Sequence, residues 1–371
     1  MKVLFCVRHN FHTAPGGAQV QIMKTRHYLE ELGIDTDLVT SPEGVDFTPY
    51  DIVHLTDLTW VYDLFGYIEK LKTEAYKGKV VLSTIYWPFD DYAKNGAPPL
   101  QSLFYTLFGI NGFERAKALA KLVVRREPVY VKGVINSYIS SQRNIVEAVD
   151  LLLPNSEMEA QALFSRLDVK KPYAVVNNAI DTQVFDEIKR NAVDTKKQDI
   201  VTFVARIDAR KNQVGFLEAM MDTDVKIIFI GNPGPNSQKY YQRLKRLAQK
   251  RGNVEFLSHL AQEEVFQHML KARVNVLTSW IETPGLVSLE AAYAGCNIVV
   301  SDKGSVREYF KDYAFYCDPA DSGSIRSAVL EALRSPHDPS IANLINKEYS
   351  WRKAAEQTLS AYHQLLADET K

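Results

Sequence analysis

Short apolar runs of strand length alternate with helical segments along most of the chain, and this alternation constrains the fold more than any other feature. In the N-terminal half, "KVLFCV" precedes a Gly-rich loop, a helix with apolar residues at helical spacing and a second strand after Gly33, which together make a βαβ unit. Further runs of this kind are "DIVHLTD", "KVVLSTIY", "AVDLLLPNS" and "YAVVNNAI". Strands that alternate with helices are typical of a parallel sheet, so this half predicts one α/β domain.

A second series of strands follows the polar stretch "EIKRNAVDTKKQD", which we interpret as a domain boundary. Its apolar runs are "IVTFVARID", "VKIIFIGNP", "NVEFLSH", "VNVLTSW" and "NIVVSD". A chain of 371 residues is too long for one ordinary core. We therefore predict one domain over residues 1–185 and another over residues 198–349. Residues 350–371 are expected to form an amphipathic closing helix with Ser350 as its N-cap, and the pattern alone does not fix where that helix docks.

Charge, cysteine content and hydropathy exclude several classes of protein. The 44 basic and 45 acidic side chains leave a net charge of -1, so no global field recruits nucleic acid. Cys6 and Cys296 lie in or beside apolar runs, and with Cys317 they have no metal-ligand spacing, which predicts reduced, buried thiols and a cytoplasmic protein. No run reaches the roughly 18 apolar residues of a membrane span, and no signal-peptide pattern is present at the start.

Two carboxylates lie in "SWIETPGLVSLEAAYAG", after a strand-like run. Thr283 is expected to cap the following helix with Pro284 in its first turn, which puts Glu282 on the loop and Glu290 in the second turn. Loops at the carboxyl ends of parallel strands form ligand crevices, so both acids are candidate ligand contacts. The amides that could meet a phosphate at the helix start are those of Gly285, Leu286 and Val287. The alternative is a surface acid and a helix-dipole acid.

Two basic side chains follow a strand in "VARIDARKN". The Arg206 guanidinium can contact two oxygens and Lys211 adds a compact charge, which suits a diphosphate. The alternative is an ordinary basic helix entry.

A pair of glycines, Gly16 and Gly17, follows the first strand in "HTAPGGAQ". Glycines let the backbone approach a phosphate or sugar, and the helix start offers free amides, although an ordinary turn has the same composition. The stretch lacks the GxGxxG fingerprint of dinucleotide-binding proteins, which disfavours a dehydrogenase.

Adjacent acids in "WPFDDY", Asp90 and Asp91, raise the question of a metal site. No third ligand has suitable spacing, so we interpret them as a solvated loop and assign no metal.

Residues 100–145 contain seven Lys or Arg against two Glu. On a helical wheel one stripe carries Lys117, Lys121 and Arg125 and another carries Leu119, Leu122 and Val123. This pattern is typical of a helix on an anionic membrane surface, and a cover over the core or over an acceptor cleft is the alternative.

In their order, these motifs resemble the retaining nucleotide-sugar glycosyltransferases of the bacterial group 1 family, over most of the chain. The matching stretches are "PGGAQ", "AVDLLLPNSEMEAQAL", "VVNNAIDTQVF", "VARIDARKN", "IFIGNPGP", the long run from "NVEFLSH" to "SDKGSVRE", and "YSWRKAAEQTL". The resemblance implies the GT-B fold, with two facing Rossmann-like domains and a closing helix, residues 350–371, that crosses back to the N-terminal domain.

The resemblance also implies roles for individual residues. Arg206 and Lys211 would hold the donor diphosphate, Glu282 would contact the transferred sugar and Glu290 the ribose. These three charged groups, Arg206, Lys211 and Glu282, are the expected catalytic residues. The other implied donor contacts are Gly16 and Gly17 from the other domain, the backbone of Gly285, Leu286 and Val287, and the base-reading loop of Ser258, His259 and Leu260. The implied acceptor contacts are His12, Gln19, Tyr86 and Trp87.

The sequence departs from the family pattern at three places. Thr283 and Pro284 replace the usual Gly-Phe, which predicts a reshaped sugar pocket. Tyr86 and Trp87 stand where the family often has a histidine, and the two candidates to substitute for it are His12 and His9. Gly304 and Ser305 replace a usual Gly-Gly.

The expected function is transfer of a sugar from a nucleoside diphosphate sugar to a glycan or lipid-linked acceptor, with retention and without metal or other cofactor. A non-catalytic nucleotide-sugar or glycan binding subunit of the same fold is the alternative, and a hydrolase or epimerase is a third. The expected location is the cytoplasm, at the cytoplasmic face of the membrane if residues 100–145 bind lipid.

Overall fold

A computed structural model of the chain describes residues 1–13, 16–120, 137–193, 195–234 and 236–367. The chain divides into two compact units. The first unit comprises Met1–Pro88, Leu103–Asn178 and Trp351–Lys371, and the second comprises Phe89–Ser102 and Ala179–Ser350.

The first unit contains a five-stranded parallel sheet in its described residues. Its strands are β1 (Lys2–Cys6), β2 (Asp35–Val39), β3 (Ile52–Thr56), β4 (Lys79–Ser83) and β5 (Leu151–Leu153). They lie in the order β2-β1-β3-β4-β5. All five residues of β3 are buried, since helices cover both faces of a parallel sheet and make its central strands mostly apolar.

The helices of the first unit connect and cover these strands. They are α1 (Gly17–Glu31), α2 (Val61–Thr73), α3 (Pro99–Ala120), α4 (Tyr138–Ala148), α5 (Glu157–Leu167) and, far along the chain, α14 (Trp351–Ala367). The start of α3, up to Ser102, groups with the second unit. The final helix packs against α1. Its Tyr362 hydroxyl lies 2.5 Å from Nδ1 of His54, whose Nε2 lies 2.8 Å from Oγ of Ser83. Burial lowers the pKa of His54 to about 3, so a neutral imidazole joins β3 and β4 to the closing helix. The expected return of that helix to the N-terminal unit is confirmed.

The second unit contains a six-stranded parallel sheet in its described residues. Its strands are β6 (Gln198–Val204), β7 (Lys226–Ile230), β8 (Val254–Leu257), β9 (Ala272–Leu277), β10 (Asn297–Ser301) and β11 (Ala314–Cys317). They lie in the order β11-β10-β9-β6-β7-β8. The covering helices are α6 (Thr182–Asn191), α7 (Gln213–Ala219), α8 (Gln238–Arg251), α9 (Gln262–Lys271), α10 (Leu286–Tyr293), α11 (Val306–Phe310), α12 (Ser322–Arg334) and α13 (Ser340–Glu348).

Three local expectations differ from the structure. The edge strand β11 was not predicted. The run "YAVVNNAI" forms no strand beyond two isolated bridges, Leu152 with Tyr173 and Ile180 with Ser350, because it continues as extended chain after Pro172 rather than as a ladder. The polar stretch expected to be a boundary begins inside α6, whose Phe185 and Ile188 are buried in the core of the second unit.

One segment from the N-terminal half groups with the second unit. Phe89–Ser102 contains a π-helix, Tyr92–Gly96, which packs on a short 3₁₀ helix, Ala209–Lys211, of the second unit. The units also divide at Ala179, before the expected residue 185. Both differences arise because long-range packing, which a local polarity pattern does not report, decides where a segment belongs.

The basic stripe of Lys117, Lys121 and Arg125 lies outside the part of the chain whose side chains the structure describes. Within α3, Gly109 has φ 63 and breaks the helix. The apolar side chains exposed on this helix are Leu100, Leu103, Leu107 and Phe108. No helix among the described residues is long and apolar enough to cross a membrane.

All three cysteines are free and buried, as predicted for Cys6 and Cys296. Burial raises the pKa of each thiol.

Candidate functional site

The strand order of the second unit creates a switch point between β6 and β9. From β6 the chain continues outward through β7 and β8, and from β9 it continues the other way through β10 and β11. In such a sheet the loops after the two central strands separate and leave a ligand crevice at their carboxyl ends. Arg206 and Lys211 follow β6, and Glu282 follows β9, so all three lie at this switch point.

Lys211 and Glu282 form an ion pair across the switch point, between Nζ and Oε1. Their side chains are only 16% and 8% exposed. Taking two charges out of water costs several kcal/mol, which their mutual attraction must offset. The structure therefore brings together two of the three expected catalytic residues and holds them in a poorly hydrated position.

Asp208 organises the loop after β6. Its Oδ1 accepts a hydrogen bond from the Lys211 backbone N–H at 3.2 Å and caps the 3₁₀ helix, while its Oδ2 lies 2.8 Å from Nε of Arg206. The half-exposed Arg206 side chain thus pairs with Asp208 and not with Glu282. The sequence interpretation missed Asp208, although an acid just before a basic helical turn is an N-cap signal.

The loop after β10 fixes the backbone of Glu282. The Ser305 N–H donates to the Glu282 carbonyl oxygen at 3.1 Å. Gly304 has φ +85, and a Cβ at this position would lie 1.8 Å from the same oxygen. Only glycine fits at position 304. Gly304 and Ser305, where the sequence departs from the family pattern, therefore hold the backbone of Glu282 in place.

Gly285 lies beside the carboxylate of Glu282. It has φ +86, and a Cβ there would lie 3.2 Å from Glu282 Oε2. It is also the N-cap of α10, so the expectation that Thr283 caps this helix and Pro284 begins it is wrong. The peptide bond between Thr283 and Pro284 is cis, and both residues precede the left-handed turn that starts the helix. The first amides of α10, those of Leu286 and Val287, therefore follow Gly285, at the end of the loop that carries Glu282.

Glu290 lies in the second turn of α10, as expected. Its Oε1 accepts a hydrogen bond from Nε2 of Gln262 at 3.1 Å, at the start of α9. Burial raises the pKa of Glu290 to about 7. The exposed Ser258 and His259 and the half-buried Leu260 form the loop between β8 and α9. The predicted ribose and base contacts thus lie on adjoining elements at the same sheet edge.

The segment Phe89–Ser102 packs against these loops. Asp91 Oδ2 lies 2.6 Å from Nζ of Lys303, next to Gly304, and this contact raises the pKa of Lys303. A Cβ on Gly96 would lie 2.5 Å from Nε1 of the buried Trp280, on the loop that carries Glu282. Asp91, which we expected on a solvated loop, is therefore in an ion pair while its side chain stays 38% exposed. No group of three or more His, Cys, Asp or Glu that could hold a metal occurs in the described residues.

The predicted acceptor residues lie at the carboxyl edge of the first unit's sheet. His12 and Gln19 belong to the stretch from β1 into α1; the former is exposed and the latter half-buried. Tyr86 and Trp87 follow β4, the first buried and the second half-buried. Gly16 and Gly17 are exposed at the start of α1, with open space around Gly16. The donor and acceptor roles given to these six residues stay predictions.

Glu159 holds the loop that carries Tyr86. This buried carboxylate accepts hydrogen bonds from the Tyr86 N–H at 2.9 Å, the Asn155 N–H at 3.2 Å and the Thr84 hydroxyl. Burial raises its pKa to about 7. Sequence reasoning missed Glu159, although Ser156 and Glu159 fit the S-x-x-E capping pattern.

The C-terminal part of the chain matches a known family. Residues 184–358 match the sequence model of the glycosyl transferases group 1. The chain is 27% identical over 241 residues to D-inositol 3-phosphate glycosyltransferase of Mycolicibacterium smegmatis, which covers 61% of this chain and 56% of that protein. It is 28% identical over 175 residues to O-antigen chain mannosyltransferase B of Escherichia coli, which covers 44% of this chain and 46% of that protein. The chain therefore spans about half the length of these curated relatives.

Solved structures share the architecture over nearly the full length. Sucrose-phosphate synthase from Thermosynechococcus elongatus aligns with a TM-score of 0.70 at 15% identity over 99% of both chains. HepE of Anabaena, solved in complex with UDP-glucose, aligns with a TM-score of 0.66 at 15% identity over 97% of this chain and 100% of that chain. With two Rossmann-like units and a closing helix in the first unit, the chain has the GT-B fold, and its residues 184–358 match the glycosyl transferases group 1.

Proposed function

We propose that the protein transfers a sugar from a nucleoside diphosphate sugar to a glycan or lipid-linked acceptor, with retention of anomeric configuration and without a metal ion. The observation that carries this proposal is the Lys211–Glu282 pair at the β6/β9 switch point, enclosed by Gly285 and Gly304. The names of the relatives support a sugar transferase, and the UDP-glucose complex of HepE supports a sugar nucleotide as donor.

The charges at the switch point suit a departing diphosphate. Negative charge develops on the leaving group, and fixed cations in a poorly hydrated site stabilise it without reorganising. Lys211 supplies one such cation, Arg206 a second from the same loop, and the first amides of α10 supply a positive dipole end. In this proposal these groups take the place of a metal ion.

In this proposal Glu282 contacts the transferred sugar. A carboxylate only 8% exposed can accept hydroxyl hydrogen bonds and stabilise positive charge on the transferred ring. Retention follows if the acceptor hydroxyl attacks from the face on which the diphosphate leaves, because a phosphate oxygen there can take its proton. Glu282 then positions the sugar and does not need to act as a base.

Thermal-shift measurements against a panel of nucleoside diphosphates and their sugars test the donor. A ligand at a hundred times its Kd stabilises the folded state by about 2.7 kcal/mol, so one base and sugar should raise the Tm clearly above the others. No shift from any member would contradict the proposal.

Turnover by Glu282 variants separates transfer from binding. Glu282→Ala should lower nucleotide release with acceptor by about a hundredfold or more while nucleotide binding stays measurable. Glu255→Ala, which removes a carboxylate from the more exposed pair with Lys226, is the matched control. Binding without turnover in the unchanged protein would favour the non-catalytic subunit, and sugar release without acceptor would favour a hydrolase. Proton NMR of the first product formed reports its anomeric configuration.

We further propose peripheral membrane contact through α3. The exposed Leu100, Leu103, Leu107 and Phe108 give this helix an apolar surface. Apolar area and attraction to anionic lipid together drive such binding. Flotation with anionic vesicles should recover the protein, less so at high salt, and Leu107→Glu should weaken recovery. Absence of binding, or binding insensitive to salt, would overturn this part.

A further inference from the structure

The first unit has a switch point of its own, between β1 and β3. From β1 the chain passes to β2 on one side, and from β3 it passes to β4 on the other, in the order β2-β1-β3-β4-β5. Loops after the two central strands of such a sheet again leave a crevice at the carboxyl ends. His9 follows β1, and Asp63 lies in the first turn of α2, after β3.

His9 and Asp63 join these two connections. Nδ1 of His9 lies 2.7 Å from Oδ1 of Asp63, and the His9 backbone N–H donates to the same oxygen at 2.9 Å. The side chains are 24% and 13% exposed. The ring also lies edge-on to Trp60, with centroids 5.9 Å apart. Two contacts therefore fix the orientation of the imidazole, and a third holds its backbone to the same carboxylate oxygen.

This orientation determines the chemistry of the other ring nitrogen. An ionised carboxylate only accepts hydrogen bonds, so Nδ1 carries the proton and the neutral ring has a lone pair on Nε2. Within the described residues, no hydrogen bond reaches Nε2 of His9. The other histidines nearby differ: both ring nitrogens of His54 are occupied, and the exposed His12 ring lies edge-on to Phe11.

We propose that His9 binds the acceptor, with its Nε2 accepting a hydrogen bond from a sugar or polyol hydroxyl, and that Asp63 is the residue that positions it. The inference rests on the proposed transferase function and adds to it the chemical class of the group bound at the β1/β3 switch point. It also selects His9 over His12 as the histidine that substitutes for the one missing near Tyr86.

The tautomer can be observed without knowing the acceptor. In protein labelled with ¹⁵N-histidine, long-range ¹H–¹⁵N NMR should show His9 protonated on Nδ1, and the signal should vanish in His9→Gln. Asp63→Asn offers an amide N–H to Nδ1 and should move the proton to Nε2, as a wrong partner does in hydrolase triads. A ring protonated on Nε2 in the unchanged protein would overturn the proposal.

Binding is tested by titrating the labelled protein with D-glucose, D-mannose and myo-inositol. At least one of the three should shift His9 Nε2, and His9→Gln should weaken its binding about tenfold, the loss of one hydrogen bond in a built site. His27→Gln, in the exposed pair with Glu31 on α1, is the control and should leave binding unchanged. If the His9–Asp63 contact is only structural, His9→Gln should lower the Tm, and the sugars should not shift the His9 Nε2 signal.

Nucleotide binding at the donor site is measured separately from sugar binding at His9. Nucleotide-induced thermal shifts should be the same in His9→Gln as in the unchanged protein. Failure of all three sugars to shift His9, with nucleotide shifts intact, would overturn the acceptor inference alone. Loss of nucleotide shifts in the unchanged protein would contradict the proposed function itself.

Discussion

Gly304 controls the position of Glu282 through the backbone. Gly304→Ala would place a methyl group where only 1.8 Å separates it from the Glu282 carbonyl oxygen, at a φ of +85. The left-handed conformation alone costs about 1–2 kcal/mol, and the clash adds to it. We expect lost turnover together with a lower free energy of unfolding.

A second glycine with positive φ serves as a control that separates backbone strain from the steric clash at Gly304. Gly252, also in the second unit, has φ +75 with open space around it. Gly252→Ala should lower stability in urea denaturation and leave the donor KM unchanged. Equal kinetic effects in both variants would show that Glu282 does not depend on Gly304.

We expect Glu290 to make nucleotide affinity depend on pH. Its pKa of about 7 lies above the ordinary 4.5, so between these values the free protein carries a neutral carboxyl. If ribose hydroxyls donate to the ionised form, binding releases a proton, and affinity should rise with pH up to about 7 and then level off. Calorimetric titration from pH 5.5 to 8.5 measures this. Glu290→Gln should bind more weakly at pH 8 with no such slope, and a slope unchanged in that variant would assign it to another group.

The closing helix α14 is held by a buried hydrogen bond as well as by its apolar face. Tyr362→Phe would leave Nδ1 of His54 without a partner in a buried position, which costs about 1–3 kcal/mol. Urea denaturation should show this loss. Tyr173→Phe, which removes a surface hydrogen bond of 2.8 Å to Glu157, should change stability much less.

The segment Phe89–Ser102 supports the loop after β10 through the Asp91–Lys303 pair. Because these side chains are 38% and 32% exposed, the pair contributes less than about 1 kcal/mol to stability. Its effect should appear in the donor KM, which Asp91→Lys should raise several-fold. The exchanged variant Asp91→Lys with Lys303→Asp should restore the KM, and failure to do better than the single change would show that the pair does not position the loop.

Most strands were predictable because they are buried on both faces. Runs such as Ile52–Thr56 and Asn297–Ser301 are buried at every residue and are mostly apolar, as burial on both faces requires whatever the partner strands. The edge strand β11 is half-exposed along three of its four residues, so its sequence carries a weaker signal. The helix start after Glu282 was misplaced because local residue preferences favoured Thr283 and Pro284, while the backbone turns at Gly285.

The sequence predicted at which edge of the sheet the site lies, but not which side chains contact each other there. The topology implied by alternating strands and helices put Arg206, Lys211 and Glu282 at carboxyl ends. That Lys211 pairs with a residue 71 positions away depends on strand order, which the local pattern does not encode. The pair of Arg206 with Asp208 is local, and the N-cap signal at Asp208 was missed. The expected roles of these three residues come from the family resemblance, whereas the residues that hold them in place were found in the structure.

The two switch points should respond to different ligands. Hydrogen exchange with the preferred nucleotide should slow in residues 205–212 and 278–290, the loops after β6 and β9. A bound sugar or polyol should instead slow exchange in residues 7–13 and 57–63, the connections after β1 and β3. Nucleotide protection confined to the first unit would contradict the assignment of the donor to the second.

The three buried thiols give each unit an internal reporter. Cys6 lies in the first unit and Cys296 and Cys317 in the second, all free and with raised pKa values, so alkylating reagents should reach them only when the surrounding core opens. Pulsed alkylation followed by mass spectrometry can therefore time the opening of each unit separately in the unlabelled native chain. The same inert background allows a single cysteine to be introduced at an exposed position and labelled with a fluorophore without first removing the natural ones.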